Sequence, residues 1–167
     1  RNRSLWRATL QEGDRFGAAV TADPAKAAGV TYQIKRENNG DIVQLVFTWS
    51  GIPAGAGQVN AEAVVQMSAS DPLSSWRLSV KPAGSQVGLW DVWFPVVRVS
   101  PDMRTDTPDF ALFPYKSGTR IPNPTVGGTW ESYYPGSAGW AFLPYWQGEN
   151  GRDMGAHDPE AAAKYVR

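Results

Sequence analysis

The chain has 167 residues, which suits one all-β domain with its own hydrophobic core. Sixteen lysine and arginine residues balance sixteen aspartate and glutamate residues, and no basic block is present, so neither nucleic acid nor a membrane surface is an expected partner. No apolar run approaches the roughly 18 residues of a membrane-spanning helix, and the absence of cysteine excludes disulfides and thiolate chemistry.

The N-terminal residues predict a first strand over residues 4–10. Trp6, Ala8 and Leu10 alternate there with polar side chains, so they are expected to share one face. A second, shorter strand is expected over residues 16–21. Eight tryptophans, 13 prolines and 17 glycines in the whole chain are typical of a turn-rich all-β fold.

The next part of the chain reads as an antiparallel meander. Asn39-Gly40 lies between two alternating stretches and is the strongest short hairpin signal in the sequence. Trp49 and Trp76 alternate with polar residues and are expected in the core, like Trp6. The glycines of residues 51–57 predict a flexible connection. The predicted strands of this part cover residues 31–36, 42–49, 59–67 and 76–80.

In the second half of the chain, the sequence predicts apolar strands that are separated by long loops. Residues 87–99 are apolar on both faces, which predicts a central strand that is buried on both sides. A strand is expected over residues 109–115, followed by a long surface loop over residues 116–128. Residues 140–147 form another predicted strand, and Pro144 places it at a sheet edge or at a bulge.

A helix is predicted at the C-terminus. Asp158 suits an N-cap, Pro159 suits the first helical position, and alanines follow. We expect this helix to be a linker from about residue 158. Together these signals predict an all-β fold, an antiparallel β-sandwich with a short helix at its C-terminus.

We expect residues 1–167 to form a single domain that was excised from a longer multidomain chain. The chain begins with Arg1 instead of methionine and shows no basic and apolar leader. A secreted or periplasmic location is compatible with this interpretation, and the compartment stays open.

Six short phrases occur in this order along the chain: VFTWSG at 46–51, SWRLSV at 75–80, DVWFP at 91–95, LFPYKSG at 112–118, YPGS at 134–137 and HDPE at 157–160. The order is similar to that of the N-terminal galactose-mutarotase-like super-sandwich domain of bacterial multidomain glycoside-hydrolase-like proteins, from about Val30 onward. The resemblance implies a β-super-sandwich that supports a catalytic barrel downstream in the same polypeptide, where the catalytic carboxylate pair would lie. Residues 152–154 depart from the family, which usually carries an aromatic or aliphatic strand there.

Aromatic residues are densest between residues 128 and 159. Rings at this density, between glycines and prolines, either plug one end of a β-core or form a platform for sugars. Arg120, Asn123 and Gln147 are the nearby planar polar groups that such a platform needs. The candidate glycan platform consists of Trp130, Glu131, Tyr133, Tyr134, Trp140, Tyr145, Trp146 and His157.

No complete catalytic set is visible in the sequence. His157 beside Asp158 is a candidate for half of a general acid–base pair, but the chain has only one histidine and Asp158 suits a helix cap, so a structural role or a contact with the next domain is the favoured interpretation of His157. The sugar mutarotases of the resembling fold class use two histidines with a carboxylate. No metal-ligand spacing and no nucleotide loop occurs, so we predict no catalytic residues, no metal and no cofactor in this chain.

The sequence leaves four functions open. The leading one is a non-catalytic accessory domain of a glycoside-hydrolase-like enzyme that supports the downstream barrel and contacts carbohydrate. The second is a self-contained carbohydrate-binding module. The third is a structural or partner-binding sandwich with no ligand. The fourth is a self-contained sugar epimerase that uses His157 with Glu131 or Asp158.

Overall fold

A computed structural model describes most of the chain: residues 4–13, 17–83, 87–97, 108–124, 129–134, 138, 142–147, 150–155 and 164–166. Its contacts cluster into two compact units, Arg1–Arg98 (unit 1) and Val99–Arg167 (unit 2). The expectation of a single domain stays a prediction. The described residues are predominantly β-strand and all four sheets are antiparallel, which confirms the predicted fold class.

Unit 1 has seven strands among its described residues, in two sheets. The strand order is β2-β1-β7 in the three-stranded sheet and β3-β4-β5-β6 in the four-stranded sheet. The strands are β1 (Arg7–Glu12), β2 (Ala19–Ala22), β3 (Gly29–Glu37), β4 (Ile42–Ala54), β5 (Gly57–Ser68), β6 (Asp71–Ala83) and β7 (Val87–Trp93).

The two sheets of unit 1 enclose one apolar core, as expected of a β-sandwich. Trp6, Ala8 and Leu10 are fully buried in it, which confirms the face predicted for the first strand. They pack against residues of the β4–β5 hairpin that include Trp49 and Ile52. The rings of Trp6 and Trp49 meet edge to face, with centroids 5.8 Å apart at 80°, a favourable geometry for aromatic pairs.

Strand β4 extends beyond its predicted end. The flexible connection expected over residues 51–57 is wrong, because β4 continues to Ala54 and β5 already begins at Gly57. The register shifts between Trp49 and Ile52, and Gly51 lies at this shift with a φ of +62°. Glycine adopts this conformation without steric cost, so the strand continues past the irregularity.

Strand β7 lies at an edge of its sheet, although residues 87–99 were predicted to be central and doubly buried. Among the described strands β7 pairs only with β1, and its Leu89, Trp90 and Val92 are exposed. The prediction is wrong because an apolar pattern records hydrophobicity and not the presence of a covering layer. Trp76 is likewise exposed and not a core residue as predicted.

Unit 2 has six strands among its described residues. The order is β12-β11-β8-β9 in a four-stranded sheet, and a separate sheet joins β10 to β13. Strand β9 lies within residues 116–128, so the long loop predicted there is wrong in part. The strands are β8 (Asp109–Phe113), β9 (Thr119–Pro122), β10 (Ser132–Tyr134), β11 (Phe142–Gln147), β12 (Asn150–Gly155) and β13 (Lys164–Val166).

The prediction for Pro144 was a sheet edge or a bulge, but β11 lies between β8 and β12, and its pairing with β12 has no register shift. Strand β12 pairs with all of β11, whereas β8 pairs only with its last three residues, from Tyr145 onward. Pro144 therefore lies just outside the stretch that β8 reaches. A proline is tolerated there because no strand on the β8 side needs the backbone N–H that proline lacks.

The predicted C-terminal helix is not shown by the structure. Asp158 and Pro159 lie outside the described residues, and Lys164–Val166 form β13, which pairs antiparallel with β10. The helix prediction is wrong for these three residues. A helix of about ten residues is marginal by itself. Pairing with β10 instead gives the backbone of residues 164–166 hydrogen-bond partners. The helices in the described part of the chain are single 3₁₀ turns, and none is long and apolar enough to cross a membrane.

Two isoleucines of the four-stranded sheet in unit 1 test where its core lies. Ile52 is 0% exposed, whereas Ile34 is 56% exposed. Ile52→Ala is expected to lower the free energy of unfolding by about 2–5 kcal/mol, because it removes buried methyl groups and leaves a cavity. Ile34→Ala makes the same chemical change and is expected to cost less than about 1 kcal/mol. Urea denaturation followed by tryptophan fluorescence measures both, and equal losses would contradict this core.

The β4–β5 turn gives a second stability test. The N–H of Ala56 donates to Oε1 of Glu12 at 2.6 Å, and a Cβ on Gly55, whose φ is +58°, would overlap that carboxylate. Gly13 has a φ of +70° and no atom within 4 Å of its Cβ position. Gly13→Ala therefore measures backbone strain alone, about 1–2 kcal/mol. Gly55→Ala is expected to cost at least about 1 kcal/mol more, because Glu12 must move and lose its hydrogen bond.

A double-mutant cycle assigns the extra cost to the carboxylate. In a Glu12→Ala background, most of the extra cost of Gly55→Ala over Gly13→Ala is expected to disappear, because the overlapping carboxylate is gone and only Cγ2 of Val20, 3.1 Å from the new Cβ, remains close. Thermal and urea denaturation of the four variants measure this coupling. Persistence of the full extra cost without Glu12 would show that the turn is not fixed by this contact.

Candidate functional site

The four-stranded sheet of unit 2 separates the candidate residues onto two faces. In the register between β8 and β11, Tyr145 lies opposite Ala111 and Trp146 lies opposite Phe110. Directly paired residues share a face of a sheet, whereas successive residues alternate. Tyr145 and Trp146 therefore point to opposite sides. We call the side of Tyr145 the buried face and the side of Trp146 the ring face.

The buried face is held by a polar contact between its two central strands. The hydroxyl of Tyr145 donates to Oδ2 of Asp109 at 2.8 Å, and Tyr145 is only 9% exposed. Gln147 is buried on the same face, opposite Asp109. Tyr145, predicted as part of an exposed platform, thus contributes to the interior of unit 2.

The ring face carries a cluster of two rings and one cation. The centroids of Phe110 and Trp146 are 4.2 Å apart at an interplanar angle of 68°. The guanidinium carbon of Arg120 lies 4.1 Å from the centroid of the Phe110 ring. Both rings are half-buried and Arg120 is exposed. Edge-to-face ring pairs and cation–π contacts are both attractive, so these three residues, which we call the ring cluster, fix one another's positions.

Strand β12 places no side chain at the position that pairs with Trp146. Gly151 lies opposite Trp146 in the register, and a Cβ there would lie 3.3 Å from the Cβ of Trp146. No β12 side chain therefore covers the indole from this position. Asp153 is exposed and lies opposite Pro144, so it shares the ring face. The ring face thus combines an aromatic surface, the hydrogen-bond donors of Arg120 and a carboxylate acceptor.

Three further candidates lie on or next to β10. Tyr133 is exposed and Tyr134 is half-buried, and both belong to β10, while Glu131 just before the strand is exposed. The backbone carbonyl of Tyr133 accepts a hydrogen bond from the N–H of Ala138 at 2.9 Å. These residues belong to the two-stranded sheet and not to the sheet that carries the ring cluster.

Trp130 also lies away from the ring cluster. Its ring is exposed, and its centroid is 6.3 Å from that of Phe113. Phe113 alternates in phase with Asp109 along β8, so it lies on the buried face, opposite the side of Trp146. Trp130 and Trp146 therefore do not form one surface.

The predicted platform is brought together only in part. Trp140 and His157 lie outside the described residues, so their roles stay predictions. Of the described candidates, only Trp146 lies on the ring face. Phe110 and Asp153 were missed, because only the register of β8, β11 and β12 places them beside Trp146. The alternation of residues 109–113 could have shown on which face of its strand Phe110 lies, but not that Trp146 lies beside it.

The comparisons with known proteins add no relative. No family model, curated protein or solved structure matches the chain. The likeness to galactose-mutarotase-like sandwich domains therefore stays a proposal. Within the described residues, no group of three or more histidine, cysteine or acidic side chains is placed to hold a metal ion.

The contact between Tyr145 and Asp109 is expected to stabilise unit 2. Tyr145→Phe removes the hydroxyl that donates to a buried carboxylate, so it is expected to lower the free energy of unfolding by about 1–3 kcal/mol. Tyr115→Phe is the matched control, because Tyr115 is exposed and its change is expected to stay within about 0.5 kcal/mol. Urea denaturation measures both variants. A Tyr145→Phe protein as stable as the control would contradict a stabilising role for this hydrogen bond.

Proposed function

We propose that the chain is a non-catalytic β-sandwich module that contacts carbohydrate through the ring face of unit 2. In this proposal it belongs to a glycan-degrading parent protein, whose catalytic domain lies outside the chain. The observation that carries the proposal is the ring cluster, in which Trp146 and Arg120 are both fixed against Phe110.

The chemistry of the ring face suits a sugar. A pyranose presents an apolar C–H face that stacks on an aromatic ring and a rim of hydroxyls that need donors and acceptors. Trp146 offers the ring, and Gly151 opposite it has no side chain to cover it. Arg120 offers donors in a planar array, and Asp153 offers an acceptor on the same face.

Preorganisation supports the same proposal. A side chain that is already held in position loses less conformational entropy when a ligand binds. Phe110 contacts both Trp146 and Arg120, so the ring and the cation are positioned before any ligand arrives. With one stacking ring on an open sheet face, we expect modest affinity, with a Kd on the order of 1 mM, or about 4 kcal/mol of binding free energy.

The number of carboxylates on the described part of the ring face favours binding over hydrolysis. Glycosidases place two carboxyl groups on either side of the scissile bond. Among the described residues, Asp153 is the one carboxylate on this face. We therefore assign contact to unit 2 and leave bond cleavage to the parent protein.

A second candidate function is that of a structural or partner-binding sandwich. It is favoured by large apolar side chains that unit 1 exposes, among them Tyr32, Leu73 and Trp90. Exposed apolar groups in such number are typical of surfaces that other protein segments cover. In this alternative the partner is the downstream domain of the same polypeptide, and the ring face binds no sugar.

The carbohydrate proposal is tested by titrating the chain with a panel of neutral and acidic oligosaccharides. Binding is measured by calorimetry and by tryptophan fluorescence. We expect saturable binding by the parent chain and at least about a 10-fold loss of affinity in Trp146→Ala, because the stacking ring is removed. Trp90→Ala is the matched control, since Trp90 is an exposed tryptophan of unit 1, and it is expected to bind like the parent chain.

A second variant separates loss of binding from loss of folding. Arg120→Gln keeps a planar polar group but removes the cation, and Arg120 is exposed, so its fold is expected to persist in circular dichroism while affinity falls. No saturable response of the parent chain to any glycan of the panel would overturn the proposal. Equal affinity of Trp146→Ala and Trp90→Ala would move the binding surface away from the ring face.

A further inference from the structure

Strand β3 is an open edge of the four-stranded sheet in unit 1. It pairs with β4 over nine consecutive residues without a register shift, and among the described strands β4 is its only neighbour. Its residues from Val30 to Glu37 are all exposed. An edge strand presents unpaired N–H and C=O groups that can pair with another strand.

The exposed edge carries apolar side chains on one face. Val30, Tyr32 and Ile34 share that face, and Tyr32 is 69% exposed. Tyr32 lies opposite Phe47 of β4, which packs against the core of unit 1. The apolar surface of the sheet therefore continues from the core to this edge, where no described residue covers it.

The two outer strands of this sheet differ in how they are protected. Proteins commonly block an edge with proline, charged residues or a bulge. Strand β6 contains Pro72 and Pro82 together with Arg77, and its register with β5 shifts once. Strand β3 contains no proline and no shift. The charged residues of β3, Lys35, Arg36 and Glu37, stand together at its C-terminal end, so the stretch 30–34 is the part of this edge without such protection.

The sequence of β3 is nearly symmetric about Tyr32. Residues 30–34 read Val-Thr-Tyr-Gln-Ile, which is apolar, polar, aromatic, polar, apolar in either direction. An antiparallel partner runs in the opposite direction, so a strand with this symmetry is complementary to a second copy of itself. Such self-complementarity is what a two-fold interface between identical chains requires.

We propose that β3 pairs antiparallel with β3 of a second copy of this chain, across a two-fold axis at Tyr32. The four-stranded sheet then becomes one continuous eight-stranded sheet. In this register Tyr32 faces Tyr32, and Val30 faces Ile34 on both sides of the axis. Cross-strand pairs of aromatic and β-branched residues stabilise such pairing.

Charge disfavours two alternative registers, and the symmetry of residues 30–34 favours the axis at Tyr32. With the axis at Tyr32, Lys35 lies opposite Gly29, the first residue of the partner strand, and Arg36 lies beyond its end. An axis at Lys35 or Arg36 would place like charges directly opposite each other, which is destabilising. Because two-fold pairing uses the free edge of β3 in both copies, the association closes at two copies instead of continuing into a fibre.

The proposal is tested by sedimentation velocity of the full chain over a range of concentrations. We expect a dimer, and we expect Tyr32→Lys to raise the dimer dissociation constant at least about 100-fold, because two like charges then meet on the axis. Leu73→Lys is the matched control. Leu73 is 71% exposed on β6, and the same kind of change there is expected to leave the dimer intact.

Charge reversal distinguishes direct pairing from an indirect effect. Tyr32→Lys and Tyr32→Glu are each expected to be monomeric, and an equimolar mixture is expected to form a heterodimer, because opposite charges then meet on the axis. Circular dichroism checks that each variant is folded, and Ile34→Lys, at another exposed position of β3, provides a second disruption.

Three results would overturn the proposal. The first is a parent chain that stays monomeric at the highest soluble concentration. The second is a dimer that Leu73→Lys dissociates and Tyr32→Lys does not. The third is a mixture of the two charged variants that stays monomeric although each variant is folded. The carbohydrate titration does not bear on any of these outcomes, so the two proposals fail separately.

Discussion

Register between β8 and β11 is the constraint on which the candidate site depends. A shift of one residue would exchange the two faces of β11, so that Trp146 would enter the interior and Tyr145 would reach solvent. The hydrogen bond from Tyr145 to Asp109 favours the observed register, because any slip would leave the carboxylate without this donor inside unit 2. The same register places Phe110 beside Trp146. One buried polar contact therefore helps to determine which rings are offered to a ligand.

In unit 1, one sheet of the sandwich covers only part of the other. The core concentrates around Trp6, Trp49 and Ile52, where the strand β1 lies over the β4–β5 hairpin. Strand β4 has 13 residues and β1 has six, so part of the larger sheet extends past its cover. Tyr32 and Trp76 are exposed for that reason, although their alternation is that of core residues. Exposed apolar area of this kind favours association with another protein surface.

Binding and stability are linked in the ring cluster. Phe110 contacts both Trp146 and Arg120, so the side chains that a sugar would meet also pack against the sheet. Gly151 separates these roles, because it pairs with Trp146 in the sheet without placing a side chain over the indole. A surface built in this way is rigid before binding, which reduces the entropy lost on association.

The sequence by itself determined the features that depend on neighbouring residues. Alternation placed Trp6 and Leu10 on one buried face, and Asn39-Gly40 marked a hairpin, because side-chain period and turn conformation are local properties. The aromatic density that led to Trp146 was also visible in the sequence. No local pattern could assign Phe110 as its partner, since the two residues are 36 positions apart and meet only through strand pairing.

Only the tertiary structure decided the properties that depend on distant segments. Trp90 has the same hydrophobicity in an edge strand as in a central one, and its exposure depends on which other segments pack over it. Residues 164–166 pair with β10 instead of extending a helix. The division of Tyr145 and Trp146 between opposite faces is also set by pairing. In each case the cause is non-local: a neighbouring strand determines burial and hydrogen bonding, and the identity of that neighbour is not written in the residues beside it.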